Sequence, residues 1–224
     1  MGSEDFSKPF DVSNINEKVY NYIKTGIITL SFPPGYNLNL KELSKKFGVS
    51  PTPVKDALFR LAGEGLVEIA PRKGTFVKGL SLKDIDEILQ IRIILETAIV
   101  EIVAPIITDE QLSQLDAVFE KMLDFEIIAN DSRNYKGYLE LDGEFHVLLF
   151  EILGNQQLLK FYRNLNSHIQ ICRFNLLDKR GKNPTTNSEH GAILKALRER
   201  NAEKAKEAML RHLESIDASL KTQI

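Results

Sequence analysis

The segment LKELSKKFGVSPTPVKDALFRL, residues 40–61, decides the fold of the first part of the chain. Its first eight residues carry leucine and phenylalanine at spacings of three and four, which predicts a short amphipathic helix. Gly48 follows, where a helix end usually requires a positive φ. Ser50 is a natural N-cap for a second helix, and Pro51 suits the first helical position. Two helices around such a turn predict a helix-turn-helix, which places its second helix in the DNA major groove.

The second helix of this pair divides into an apolar face and a polar remainder. The face predicted to be buried consists of Val54, Ala57, Leu58 and Leu61. Thr52, Lys55 and Arg60 fall on other sides of the helix. We therefore expect these three side chains to be available to DNA.

The segments on either side complete a winged helix. Residues 66–69 and 75–77 have strand character and flank a turn that carries Arg72 and Lys73, which predicts a β-hairpin wing. Upstream, apolar residues that include Val19, Tyr22 and Ile23 predict an amphipathic helix. We assign residues 11–79 to this DNA-binding domain and expect residues 1–10 to be disordered.

The distribution of charge agrees with this division. Residues 1–79 hold eleven Lys/Arg and eight Asp/Glu, a net charge of +3, whereas residues 80–224 hold eighteen and twenty-three, a net charge of −5. A basic module is therefore joined to an acidic one. The single cysteine, Cys172, excludes an internal disulfide, and neither a signal peptide nor a membrane span is recognisable. We expect a cytoplasmic protein without a membrane partner.

From residue 80 to residue 224 the sequence predicts an all-α bundle, so the whole chain is expected to be mainly α. Ser81 and Asp84 form a capping-box pattern at the start of its first helix. Five further helices are predicted by apolar periodicity, with one long polar loop at residues 178–187.

Three histidines and one aspartate of this bundle fall on inward-facing positions. Asp142 and His146 are four residues apart on one predicted helix, and His190 and His212 lie beside the apolar stripes of two others. One carboxylate and three imidazoles suit a divalent transition metal. The alternative from spacing alone is that they are ordinary core or surface residues.

The N-terminal motifs carry a family resemblance. The stretch VSPTPVKDALFRLAGEGLV at residues 49–67 and the wing PRKGTFV at residues 71–77 resemble GntR-family bacterial transcription factors. The resemblance implies DNA contacts from Lys41, from Ser50, Thr52 and Lys55, and from the wing glycine Gly74. Many members have arginine in place of Pro51 and Lys55, so the resemblance indicates the docking mode and leaves the operator sequence open.

The C-terminal half resembles the FadR-like branch of that family, whose helical ligand domain is called FCD. The resemblance rests on RIILE at 92–96, DGEFH at 142–146, EH at 189–190 and MLRHL at 209–213. It implies that Asp142, His146, His190 and His212 bind a divalent ion, with zinc or nickel favoured and manganese or iron also compatible.

The same resemblance implies that a small organic acid completes the coordination and that a helix-borne arginine pairs with its charge. Arg92 is the candidate arginine. The alternative for Arg92 is a structural salt bridge with Glu96, four residues along the same helix.

These interpretations predict a homodimeric, ligand-responsive regulator, more often a repressor, that binds double-stranded palindromic operator DNA. Two alternatives keep DNA binding: the ion itself is the signal, or the ion is structural. A metalloenzyme with a DNA-binding head would belong to another class, but Glu144, two residues from both Asp142 and His146, should point away from a general-base position. We therefore expect no enzymatic activity.

Overall fold

A computed structural model describes the backbone of residues 15–128, 132–180 and 186–221. The predicted disorder of residues 1–10 lies outside these ranges. Contacts divide the chain into two compact units, which separate between Gly79 and Leu80.

The first unit contains three helices and a two-stranded antiparallel sheet. Its elements are α1 Ile15–Ile28, α2 Leu40–Phe47, α3 Pro51–Gly63, β1 Val67–Ala70 and β2 Gly74–Val77. The strands pair in the register Val67 with Val77 and Ala70 with Gly74, and an isolated bridge adds Asn37 beside Phe76. The predicted winged helix-turn-helix is therefore confirmed.

Helix α1 buries Val19, Ile23 and Ile27 of the predicted apolar stripe, but Tyr22, which the sequence assigns to the same stripe, is not buried. Tyr22 is 46% exposed and packs edge-on against Phe47 at a centroid distance of 5.0 Å. Tyr20 is buried instead. Its hydroxyl donates a hydrogen bond to Glu64 Oε1 at 2.6 Å, so a polar partner from another element satisfies the buried group.

The helix ends of the helix-turn-helix are capped in different ways. Gly48 ends α2 with φ 65°, and the Asn39 side chain caps its start by accepting from the backbone N–H of Lys41 at 2.9 Å. Ser50 occupies the N-cap position of α3, but its side chain makes no capping hydrogen bond. Its hydroxyl is therefore not used to hold the helix end.

The described residues of the second unit form helices joined by short turns. Its helices are α4 Leu82–Val103, α5 Asp109–Ile128, α6 Ser132–Leu153, α7 Gln156–Arg180, α8 Thr186–Arg198 and α9 Ala202–Lys221. The capping box at Ser81 and Asp84 is present as predicted. The predicted loop at residues 178–187 is too long, because α7 continues to Arg180 and α8 begins at Thr186. None of the described helices is both long and apolar enough to cross a bilayer.

One apolar core holds these helices together. Helix α4 packs against α9, α6 and α7, while α8 packs against α9 and α5. Fully buried side chains from different helices meet there, among them Leu115, Met122, Phe145, Leu194 and Met209. Burying side chains of this size contributes about 1.5–3 kcal/mol each. The polar cluster described next is embedded in this core.

Candidate functional site

The four predicted metal ligands come together in the core of the helical unit. Helix α6 supplies Asp142 and His146 one turn apart, α8 supplies His190, and α9 supplies His212. All four are buried, and one potential ligand atom of each lies within 4.8 Å of the others. Three helices therefore converge on one polar cluster.

The histidines meet through the same ring nitrogen. His146 Nε2 lies 3.3 Å from His190 Nε2 and 3.2 Å from His212 Nε2. Two nitrogen ligands of one tetrahedral zinc ion would be roughly 3.3–3.4 Å apart, given zinc–nitrogen bonds of about 2.0–2.1 Å. One carboxylate oxygen of Asp142 lies 3.5 Å from His190 Nε2. The residues present fit a divalent metal with nitrogen and oxygen ligands.

Two glutamates lie behind the histidines. Glu96 Oε2 is 2.6 Å from His146 Nδ1, a close charge contact that lacks hydrogen-bond geometry. Glu189 Oε2 is 3.0 Å from His212 Nδ1 and forms a hydrogen bond with it. Metal-binding histidines commonly donate their second ring N–H to a carboxylate, which leaves the other nitrogen free for the ion. Neither glutamate was predicted to act this way. For Glu189 the only sequence signal was its position next to His190.

Arg92 is buried beside the cluster and contacts Glu96. Its Nε lies 2.5 Å from Glu96 Oε1, which also accepts a 2.6 Å hydrogen bond from the Tyr162 hydroxyl. The salt bridge that was the alternative for Arg92 is thus present. It does not use the whole guanidinium, because Arg92 Nη1 is buried and has no hydrogen-bond partner among the residues that the structure describes.

The electrostatics of the cluster follow from burial and close charges. Burial is the largest single effect and would raise the pKa of Glu96 and lower that of Arg92. The neighbouring charges and hydrogen bonds, above all the attraction between these two groups, together outweigh it, so the pKa of Glu96 is lowered and that of Arg92 is raised. Burial, and then the neighbouring His146, lower the pKa of His212 well below its ordinary value. A neutral His212 is the form that a metal requires.

A formal charge count also favours a cation. The described residues of the cluster include the carboxyl groups of Asp142, Glu96 and Glu189 against the single guanidinium of Arg92. With all three carboxyl groups ionised and the imidazoles neutral, their net charge is −2. A divalent ion would neutralise it, and uncompensated buried charge is costly.

The predicted DNA-contacting residues lie on the surface of the first unit. Those exposed on the helix-turn-helix are Lys41, Ser50, Pro51, Thr52 and Lys55, and those exposed in the wing are Arg72, Lys73 and Gly74. Gly74 has φ 128°, and an added Cβ would come within 3.2 Å of the Asn37 side chain. Backbone conformation and steric crowding are therefore sufficient to explain the glycine at this position of the wing.

Arg60 differs from the other predicted DNA residues. Its Nη1 lies 2.5 Å from Glu17 Oε1, its Nε lies 3.6 Å from Glu64, and its guanidinium stacks 3.6 Å from the Tyr20 ring centre. These contacts connect α3 to α1. A DNA phosphate would have to compete with the carboxylates of Glu17 and Glu64 for the Arg60 guanidinium. The described contacts therefore favour a structural role for Arg60.

Comparison with known proteins identifies both units. Residues 15–77 match the profile of bacterial regulatory proteins of the gntR family, and residues 87–215 match the FCD domain. The chain belongs to the GntR family. It is a transcriptional regulator with an FCD domain, and the predicted absence of an enzymatic role is confirmed by this membership.

Relatives with the same organisation support this assignment over nearly the full chain. The HTH-type transcriptional repressor RspR of Escherichia coli is 30% identical over 92% of this chain and 89% of its own length. The regulator YdhC of Bacillus subtilis is 32% identical over 86% and 85%. The solved structure of E. coli McbR/YncC has a similar fold, with a TM-score of 0.81 at 21% identity over 93% of this chain and 98% of that one.

Proposed function

We propose that this GntR-family regulator is a homodimeric repressor whose FCD domain uses a metal centre to bind a small organic acid. The observation that carries the proposal is the convergence of three histidine Nε2 atoms and Asp142 in the core. When bound, a divalent ion would supply a Lewis-acidic site for a carboxylate oxygen. Zinc and nickel suit this ligand set, and manganese or iron would also be compatible.

The organic acid is proposed from the state of Arg92. A buried guanidinium N–H without a partner costs about 1–3 kcal/mol, and an incoming carboxylate would remove that cost. The negative charge of Asp142 also raises the pKa of Arg92, in addition to the larger effect of Glu96. The arginine is therefore electrostatically coupled to a predicted metal ligand.

The homodimer is proposed from an apolar stripe on α4. Ile94, Ala98 and Ile102 follow one another at intervals of four residues and are exposed, Ile94 by 68%. Ile106, just beyond the helix, continues the interval and is 59% exposed. A second copy of the chain would bury this stripe, and two winged helices would then meet two half-sites about 34 Å apart on a palindrome. The repressor assignment follows the name of RspR.

The experiment that tests the effector proposal titrates the metal-stripped protein on an operator duplex selected from random DNA by the parent protein. We expect zinc or nickel alone to leave the complex intact, and the same metal with a small carboxylic acid to dissociate it. Arg92→Lys, which retains a charge for Glu96, should lose the response to the acid. Dissociation by the metal alone would show a metal sensor, and no effect of either addition would show a structural metal; both contradict the proposal.

A second prediction concerns the DNA interface. Thr52→Ala and Lys55→Ala should weaken operator binding without altering the fold. If Lys55 contacts a phosphate, its loss should reduce the slope of log K against log salt by about 0.9. If Lys55 contacts a base, one operator position should lose about 1–3 kcal/mol of discrimination.

The matched control for the DNA prediction is Lys121→Ala, which removes an exposed lysine of α5 in the other unit. Fluorescence anisotropy at several salt concentrations provides the measurement. Parent-like binding by Thr52→Ala, Lys55→Ala and the wing variant Arg72→Ala together would refute the proposed docking.

A further inference from the structure

Two carboxylates contact the histidine cluster, each through a different histidine, and their surroundings differ. Glu96 is fully buried and is also bound by Arg92 and Tyr162. The Glu189 side chain is 20% exposed, and the contact described for it is with His212 Nδ1 at 3.0 Å. Replacing Glu189 would therefore disturb the core far less than replacing Glu96.

The position of Glu189 on α8 explains how it reaches His212. Glu189 lies in the first turn of α8, where the helix dipole favours a negative charge. Consecutive helical residues project about 100° apart, so His190 is directed into the cluster while Glu189 contacts α9. Two adjacent residues of α8 thus have different parts: His190 is a predicted ligand, and Glu189 is the partner of the predicted ligand His212 on α9.

The contact also determines which nitrogen of His212 carries the proton. A carboxylate only accepts hydrogen bonds, so a neutral His212 must donate from Nδ1–H to Glu189. The lone pair then lies on Nε2, the atom that is 3.2 Å from His146 Nε2. A negatively charged acceptor behind the ring also makes Nε2 a better electron donor.

From this geometry we infer that Glu189 is a positioning residue for the metal centre: it holds His212 in the Nδ1–H tautomer with Nε2 directed at the ion. The inference rests on the proposed metal centre. It predicts that the hydrogen bond and the charge of Glu189 contribute separately to positioning and to metal affinity. The substitution Glu189→Gln separates them, because glutamine can accept the same hydrogen bond through its amide oxygen but carries no charge.

The test measures the His212 tautomer and metal affinity separately. Long-range ¹H–¹⁵N NMR of the metal-free protein reports the tautomer, and competition with a chromophoric chelator reports the dissociation constant for zinc. We expect Nδ1–H in the parent and in Glu189→Gln, and a mixture of tautomers in Glu189→Ala. Zinc affinity should fall about 10–100-fold in Glu189→Ala and by a smaller factor in Glu189→Gln.

Glu214→Gln is the matched control, because it removes an exposed carboxylate two residues from His212 on the same helix. It should retain the parent tautomer and an affinity within about twofold. Circular dichroism should show that each variant is folded. An Nε2–H tautomer in the metal-free parent, or a parent-like tautomer and affinity in Glu189→Ala, would overturn the inference. A parent protein that binds no zinc would refute the metal centre, while the tautomer measurement would still decide whether Glu189 positions His212.

Discussion

Removal of a bound divalent ion is expected to lower the melting temperature of the helical unit by roughly 8–16 °C. An ion that binds only the folded state stabilises it by about 4 kcal/mol at a thousandfold excess over its dissociation constant. For a chain of this size, 1 kcal/mol corresponds to roughly 2–4 °C. The effect should be large because the ligands come from α6, α8 and α9, so one ion would join three helices.

Differential scanning calorimetry of stripped and metal-loaded protein provides the measurement. His212→Ala should regain much less stability on metal addition, whereas His168→Ala, which removes a histidine of α7 outside the cluster, should respond like the parent. Equal recovery by the parent and His212→Ala would show that the metal stabilises the protein elsewhere.

The substitution Glu96→Ala is expected to cost about 3–5 kcal/mol of unfolding free energy even in the absence of metal. The substitution leaves the fully buried Arg92 without its counter-charge. Removing one partner of a buried ion pair destabilises a protein by about this amount, because the other charge stays buried and uncompensated. The Tyr162 hydroxyl and His146 Nδ1 would lose the same carboxylate.

Urea unfolding of the metal-free protein measures this cost. Glu87→Ala is the control on the same helix, because its 3.5 Å contact with Lys83 is exposed and is worth at most about 0.5 kcal/mol. The double variant Arg92→Met/Glu96→Leu should be less destabilised than Glu96→Ala, since it removes both charges. A cost below about 1 kcal/mol for Glu96→Ala would contradict the described network.

Local patterns predict the helices and some of their ends, where the deciding contacts lie close in sequence. The capping box at Ser81 and the glycine that ends α2 are of this kind. The assignment of Tyr22 to the apolar stripe of α1 is wrong because periodicity does not reveal a distant partner. Glu64, forty-four residues after Tyr20, provides the hydrogen bond that allows Tyr20 to be buried instead. Arg60 likewise meets Glu17 across forty-three residues.

The buried cluster of one aspartate and three histidines shows the same division between local and distant contacts. Helical spacing placed Asp142 beside His146, and the family resemblance connected them with His190 and His212. The roles of Glu96 and Glu189 depend on packing between helices, because each carboxylate contacts a histidine on a different helix. The spacing of residues along the sequence does not reveal contacts between different helices. Both alternatives for Arg92 are reasonable for this reason: its Nε and Nη2 bind Glu96, while Nη1 has no hydrogen-bond partner in the described part of the chain.

The metal content of the purified protein tests the central claim most directly. The protein should be prepared without added metal, freed of any affinity tag and examined by elemental analysis beside His146→Ala. We predict about one divalent transition-metal ion per chain in the parent, matching the single cluster of the described residues, and a strongly reduced content in the variant. A metal content near zero in the parent, with no thermal response to zinc, nickel or manganese, would contradict the account. It would show that Asp142 and the three histidines form only a polar network in the core.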